Sequence, residues 1–220
     1  MRAIVAVVAV ACCVLLAEAQ TPDAGTLRIY LARHGESEAN LARTLAGWLD
    51  TPLTARGRQQ ANDMAVALRG TPFDAVYSST LVRSRVTAEI LAPGAQVQAL
   101  PELRERSVGR FEGKPNNDPE YLRRVPSDED DLDGGEPRTR VLERVREALS
   151  RIQRANASGT VLVVGHANTN RMILRALLGL SPEQANAVAQ DNDELYVLEL
   201  GRNQSTRLFK LIREKNLGDL

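Results

Sequence analysis

Apolar residues along this chain fall into two rhythms, short β-branched or aliphatic runs and longer stretches with helical spacing. Leu27 to Ala32 is the first run and predicts a strand. Ala61, Met64, Ala65 and Leu68 then recur at i, i+3, i+4 and i+7, which predicts an amphipathic helix begun near Thr54 and stopped by Gly70. Asp74 to Ser78 and Val97 to Leu100 read as two short strands, with a helix from about Leu81 to Leu91 between them that Pro93-Gly94 ends. Val141, Val145, Ala148, Leu149 and Ile152 give a long helix by their spacing. Thr160 to Val164 is β-branched and apolar on both faces, which predicts a central, parallel strand. The stretch with Met172, Ile173, Leu174, Ala176, Leu177 and Leu178 is apolar nearly all round and predicts a buried helix. Ser181-Pro182-Glu183-Gln184 has the form of a capping box with proline at the first helical position. Leu195 to Leu200 and Arg207 to Ile212, joined through Gly201-Arg202-Asn203, predict an antiparallel hairpin. Strands alternating with helices define an α/β fold: a three-layer sandwich with a central mixed, mostly parallel sheet and helices on both faces.

Between these elements, residues 101–137 are rich in glycine and proline and predict a mostly irregular lid over a site. The acidic run Asp128-Glu129-Asp130-Asp131 within it reads as a solvated loop, and Arg123-Arg124 as a wet helix face. At the amino end, Met1-Arg2, the apolar run Ala3 to Ala17 and the small-x-small pattern Ala17-Glu18-Ala19 match a cleaved export signal over residues 1–19. The run is short for a bilayer span, so no membrane association is expected after cleavage, and the product is expected in the periplasm or outside the cell. A lipid-modified cysteine is the weaker alternative, because Ala9-Val10-Ala11 before Cys12 lacks the usual leucine-like residue. Residues 20–26 form a short polar leader, and 27–220 a single domain without internal repeats.

Composition then excludes several chemistries. Both cysteines, Cys12 and Cys13, lie in the signal segment, so the mature chain has no thiolate nucleophile, disulfide or cysteine metal ligand. Formal net charge is zero and aromatic content 4%, which offers neither the basic footprint nor the stacking platform of a nucleic-acid binder.

The chain has only two histidines, and both stand where an apolar strand gives way to a helix. His34 follows the first strand in Arg33-His34-Gly35-Glu36-Ser37, and His166 follows the central strand in Gly165-His166-Ala167-Asn168. Ligands of open α/β sheets bind at the carboxyl ends of strands, so the pair predicts one built site. Arg33 offers a fork of donors suited to phosphate oxygens, and a neutral histidine can carry a covalent intermediate. Gly35 allows close backbone approach, and Arg83 supplies a second guanidinium after the Ser78-Ser79 strand end. Metal binding is the rival reading. It lacks a third ligand at suitable spacing, and Arg33 would repel a cation, so neither metal nor organic cofactor is expected. Glu36 is assigned no chemical role.

These residues resemble the histidine phosphatase superfamily, the group that includes cofactor-dependent phosphoglycerate mutases and many acid or broad-specificity phosphatases. The resemblance runs from about Leu27 to Ile212. It rests on Arg33-His34-Gly35-Glu36-Ser37 with Asn40, Gly47 to Gly57, Ser78 to Arg83, Leu103-Arg104-Glu105 with Gly109 and Glu112-Gly113, and Gly165 to Asn168. It implies a phosphoglycerate mutase-like fold, with His34 as the nucleophile that becomes phosphohistidine. Arg33, Arg83 and His166 are implied to hold the equatorial oxygens, Asn40 to add a neutral donor, and Gly47, Ala167 and Asn168 to border the substrate. Glu105 is implied as general acid and then base, chosen over Glu102 and Glu112 in the same loop. The implied function is a phosphomonoester hydrolase acting on a small molecule or a phosphorylated residue. Two rivals share the fold: a phosphoglycerate-mutase-type phosphotransferase, and a catalytically silent phosphate-binding protein.

Overall fold

The computed structural model describes residues 25–201 and 206–210. The export signal, most of the polar leader, Arg202-Asn203 of the hairpin turn and Ile212 lie outside the described residues.

A six-stranded sheet in the order β3-β2-β4-β1-β5-β6 forms the middle layer. Its strands are β1 (Leu27–Arg33), β2 (Ala75–Ser79), β3 (Val97–Leu100), β4 (Gly159–Gly165), β5 (Leu195–Leu200) and β6 (Thr206–Lys210). The first four are mutually parallel; β5 runs antiparallel to β1, and β6 antiparallel to β5. The strand with the most continuous β-branched run is central, as a strand buried on both faces must be.

Alternation along β1 sorts the layers. Leu27, Ile29 and Leu31 join the core formed by α5 (Arg138–Ala155), α6 (Ala167–Leu178) and α7 (Pro182–Ala187). Tyr30 and Ala32 face the opposite core, with Met64 and Leu68 of the α2 segment (α2, Ala55–Ala67) and Ala88 and Leu91 of α3 (Val82–Leu91). The chain therefore runs from β1 to β3 by helices on one face and returns to β4 by α5 on the other. The carboxyl ends of β1 and β4 lie side by side where the two routes diverge, the expected position of a ligand crevice.

Several expectations need correction. The α6 helix is not buried all round: Met172, Ile173 and Leu174 are buried, whereas Ala176, Leu177 and Leu178 are half-exposed. The last three still pack against the core shared with α5. The segment 101–137 is more ordered than its glycines and prolines imply. It contains α4 (Pro119–Arg124), started by the Asp118 carboxylate accepting from Glu120 N and Tyr121 N, and a small core of Val108, Phe111, Tyr121 and Leu132. The helix has only six residues, too few to show a period. A second short helix, α1 (Glu38–Leu41), escaped the same reading. The acidic run is solvated only in part: Glu129 and Asp131 are exposed, whereas Asp128 pairs with Arg175 at 2.7 Å, and Asp130 takes Arg124 and caps Leu132 N. Nor is Arg124 a wet residue, since it bridges Glu120, Asp130 and Asp133. Arg123 beside it is exposed.

Candidate active site

The β1–β4 register decides the site. Arg33 pairs with Gly165, so His34 and His166 each stand one residue past the last paired rung. His34 N still donates to Gly165 O at 3.1 Å, and the two imidazole centroids are 5.0 Å apart. Residues 132 positions apart in sequence thus become neighbours through backbone pairing alone.

Each ring has one nitrogen held by one neighbour. His34 Nδ1 lies 2.7 Å from Gly35 O, which can only accept, so Nδ1 carries the proton and Nε2 the lone pair. His166 Nε2 lies 2.7 Å from Ser79 Oγ, whose lone pair already accepts from Leu81 N. With the Ser79 hydroxyl donating to Nε2, Nδ1 of His166 carries the ring proton. Burial lowers both histidines well below the ordinary value of 6.5, and the charges of Arg83 and Arg33 push them further, so both rings stay neutral.

The arginines are aimed by carbonyl oxygens rather than by carboxylates. Arg83, 1% exposed, donates through Nη1 to Leu49 O and through Nη2 to Gly47 O, both at 2.9 Å. The 47–50 loop also caps α3, Asp50 Oδ1 accepting from Val82 N at 2.7 Å. Arg33 donates through Nη1 to Gln190 O at 2.7 Å. Two buried guanidinium N–H donors, Arg33 Nε and Arg83 Nε, and the buried ring nitrogen Nδ1 of His166 then have no partner among the described residues. Unmet buried donors are costly, and two guanidiniums in the same cluster call for a ligand made of acceptors.

Glu105 reaches the cluster from the lid side. Its Oε1 accepts from Arg106 N at 2.8 Å and Thr169 N at 3.2 Å, and its Oε2 from Asn168 N at 3.3 Å. His166 is the N-cap of α6 without a side-chain capping bond, and Glu105 supplies that cap from outside the helix. Arg144 holds the backbone of the same loop, donating to the carbonyls of Glu102, Arg104 and Glu105 while its guanidinium pairs with Glu136. Trp48 Nε1 adds a bond to Glu105 O at 2.8 Å.

A hollow of ≈ 150 Å³ opens here, lined among others by Arg33, His34, Asn40, Arg83 and Glu105. Gly47 and Asn168 also line it; His166 and Ala167 do not, His166 being wholly buried with its ring centroid 5.0 Å from that of His34. Asn40 commits its Oδ1 to Ser37 in a capping box, which leaves its amide NH2 for a ligand. Gly47 serves differently from the expected direct contact: its carbonyl aims Arg83, its φ is +49°, and a Cβ there would meet Glu112 at 2.4 Å. Glu36 accepts from Thr54 Oγ1 at 2.8 Å and takes no part in the hollow. Sequence reasoning missed Ser79, Gln190 and Asn192 (whose Nδ2 donates to His34 O at 2.7 Å). No motif flags the last two, because a backbone carbonyl or one amide does the work. Among the described residues, no group of three His, Cys, Asp or Glu is placed to hold a metal ion.

Fold and site together define an enzyme-like centre for a tetrahedral anion, built on a neutral histidine. The chain belongs to the histidine phosphatase superfamily (branch 1), whose family model matches residues 29–211. It is 32% identical over 167 residues to the adenosylcobalamin/alpha-ribazole phosphatase of Salmonella typhimurium, covering 69% of this chain and 80% of that protein. It is 33% identical over 169 residues to a probable phosphoglycerate mutase of Photorhabdus laumondii, covering 70% and 76%. The structure of Entamoeba histolytica phosphoserine phosphatase in complex with 3-phosphoglyceric acid superposes with a TM-score of 0.75, at 26% identity over 86% of this chain and 98% of that one.

Proposed function

We propose that the protein is a phosphomonoester hydrolase working through a phosphohistidine on His34. One observation carries the reading: the buried, unpartnered Nε donors of Arg33 and Arg83 belong to the walls of the hollow that His34 lines, and the Nδ1–H···O bond to Gly35 fixes the Nε2 lone pair of that histidine. In the first step Nε2 attacks phosphorus in line while the ester oxygen departs. Glu105, acting as general acid, gives that oxygen its proton, and the alcohol leaves. The Arg33 and Arg83 guanidiniums and the His166 Nδ1–H receive the charge spread over the equatorial oxygens. In the second step water attacks the phosphohistidine, the Glu105 carboxylate takes the water proton, and phosphate departs as His34 returns to its neutral form. The amino-terminal segment supports a location outside the cytoplasm, reached by export and signal cleavage.

Rapid quenching with labelled substrate tests the covalent step; an acid-labile, base-stable label on His34 is expected, and none on a His34→Ala variant. Glu105→Gln is expected to slow release of an alkyl phosphate roughly 100-fold or more while sparing an activated aryl ester. Label on another residue, or equal slowing of both esters, removes His34 or Glu105 from these roles.

A further inference from the structure

The hollow is cationic only at its phosphoryl end. Away from Arg33, His34 and Arg83 its wall is made by Thr44, Leu45, Asn116, Tyr121 and Asn168, all uncharged. One further arginine lines it, Arg106, which is fully buried with its guanidinium committed. Nε donates to Glu136 O at 2.7 Å, Nη1 to Val125 O at 3.4 Å and Nη2 to Asp130 O at 2.6 Å.

Other guanidiniums nearby are engaged as well. Arg124 is shared among three carboxylates, and Arg110 pairs with Glu120 and Asp133. Arg138 bonds Pro126 O and the Asn186 amide. Arg171 donates to Val188 O at 2.8 Å and Asn168 Oδ1 at 3.4 Å and does not line the hollow. Arg104 bonds Thr80 Oγ1 at 2.6 Å and lies over the Trp48 ring. Among the residues that line the hollow, a leaving group bearing a carboxylate would thus meet Glu105 and Tyr121 rather than an open cation, and an unpaired charge desolvated there is strongly disfavoured.

What this end offers instead is hydrogen bonding. The Tyr121 phenol lines the hollow at 7% exposure, packed on Phe111 with centroids 5.6 Å apart. Burial raises its pKa, and the charge of Glu105 raises it further, so the hydroxyl remains a donor. Asn116 and Asn168 add amides, and Thr44 a hydroxyl. Building on the phosphatase reading, we propose that this wall selects uncharged, polyhydroxylated leaving groups, so that the preferred substrates are phosphomonoesters of neutral sugars or polyols rather than of hydroxy acids. Tyr121 and Asn116 are its specificity-determining residues.

Phosphate release by the whole chain from p-nitrophenyl phosphate, ribose 5-phosphate, phosphoserine and 3-phosphoglycerate tests this. Ribose 5-phosphate is expected to exceed both carboxylated esters in kcat/KM by at least about tenfold. Tyr121→Phe is expected to lower the ratio of ribose 5-phosphate to p-nitrophenyl phosphate turnover about tenfold, the worth of one hydrogen bond in a dry site. Asn116 sits on an exposed loop at the rim of the hollow, so Asn116→Arg is expected to raise kcat/KM for 3-phosphoglycerate. Carboxylated esters equal to or better than ribose 5-phosphate, with p-nitrophenyl phosphate turned over, would overturn the selectivity and leave the phosphatase reading intact. So would substrate ratios unmoved by both variants. Wild-type protein inert toward every ester would overturn the phosphatase reading itself, and this proposal with it.

Discussion

Lowering the pH from 7.5 to 5.5 should destabilise this protein by an amount set mainly by two side chains. His34 and His166 are wholly enclosed and held neutral, by desolvation first and by Arg83 and Arg33 next; His34 also weighs on His166. In the unfolded chain each titrates near 6.5. The folded values lie below the unfolded ones, so below pH 6.5 the unfolded chain binds more protons. Stability is then full above that pH, falls as pH drops, and levels only once the folded values are reached. While the folded rings stay neutral, the slope approaches a little over 1 kcal/mol per pH unit per histidine. At pH 5.5 the pair therefore accounts for roughly 3 kcal/mol, a large share of a typical 5–15 kcal/mol stability. Urea unfolding at half-unit pH steps measures this, with a His34→Asn, His166→Asn double variant as reference. The variant is expected to run nearly flat between pH 7.5 and 5.5, with wild type converging on it from above. Parallel curves would refute the reasoning, because both histidines would then titrate alike in the folded and unfolded chains.

Two further outcomes follow from close approaches of backbone to site. A Cβ on Gly57 would meet Glu36 O at 2.0 Å, and one on Gly35 would meet Gly57 O at 2.2 Å; Gly57→Ala is expected to lower Tm by roughly 5 °C in a thermal scan and to weaken turnover by displacing His34. Asn192→Ala removes the donor to His34 O without touching the hollow, and is expected to cut kcat about tenfold with KM within twofold, whereas a loss confined to KM would show that Asn192 serves binding instead.

Much of the architecture was legible because periodicity survives without tertiary information. The apolar Thr160–Val164 run could only be central, and the Val141–Ile152 spacing could only be a helix packed along one face. The two histidines were conspicuous through position and rarity. What stayed hidden depended on partners far along the chain. Arg124 looks solvated until Asp130 and Asp133 fold back on it, and the lid's small core appears only when Phe111 and Tyr121 meet. Glu105 could be chosen over its neighbours by resemblance; the reason it sits there, the open N-terminus of α6, is a tertiary fact. Gln190 acts through a main-chain carbonyl, to which residue type gives no clue.

The pairing of β1 with β4 has an evolutionary corollary. His34 and His166 ride on one hydrogen-bonded ladder, whereas Tyr121 and Asn116 belong to an excursion with its own small core. On the proposed reading the strand-end histidines and the selectivity wall belong to separate parts that meet at Glu105, so a lineage could exchange the excursion beyond that residue and acquire a new diet while keeping the two histidines in place. Chimeras that graft a relative's 106–136 equivalent onto this sheet are the natural place to look for such inheritance.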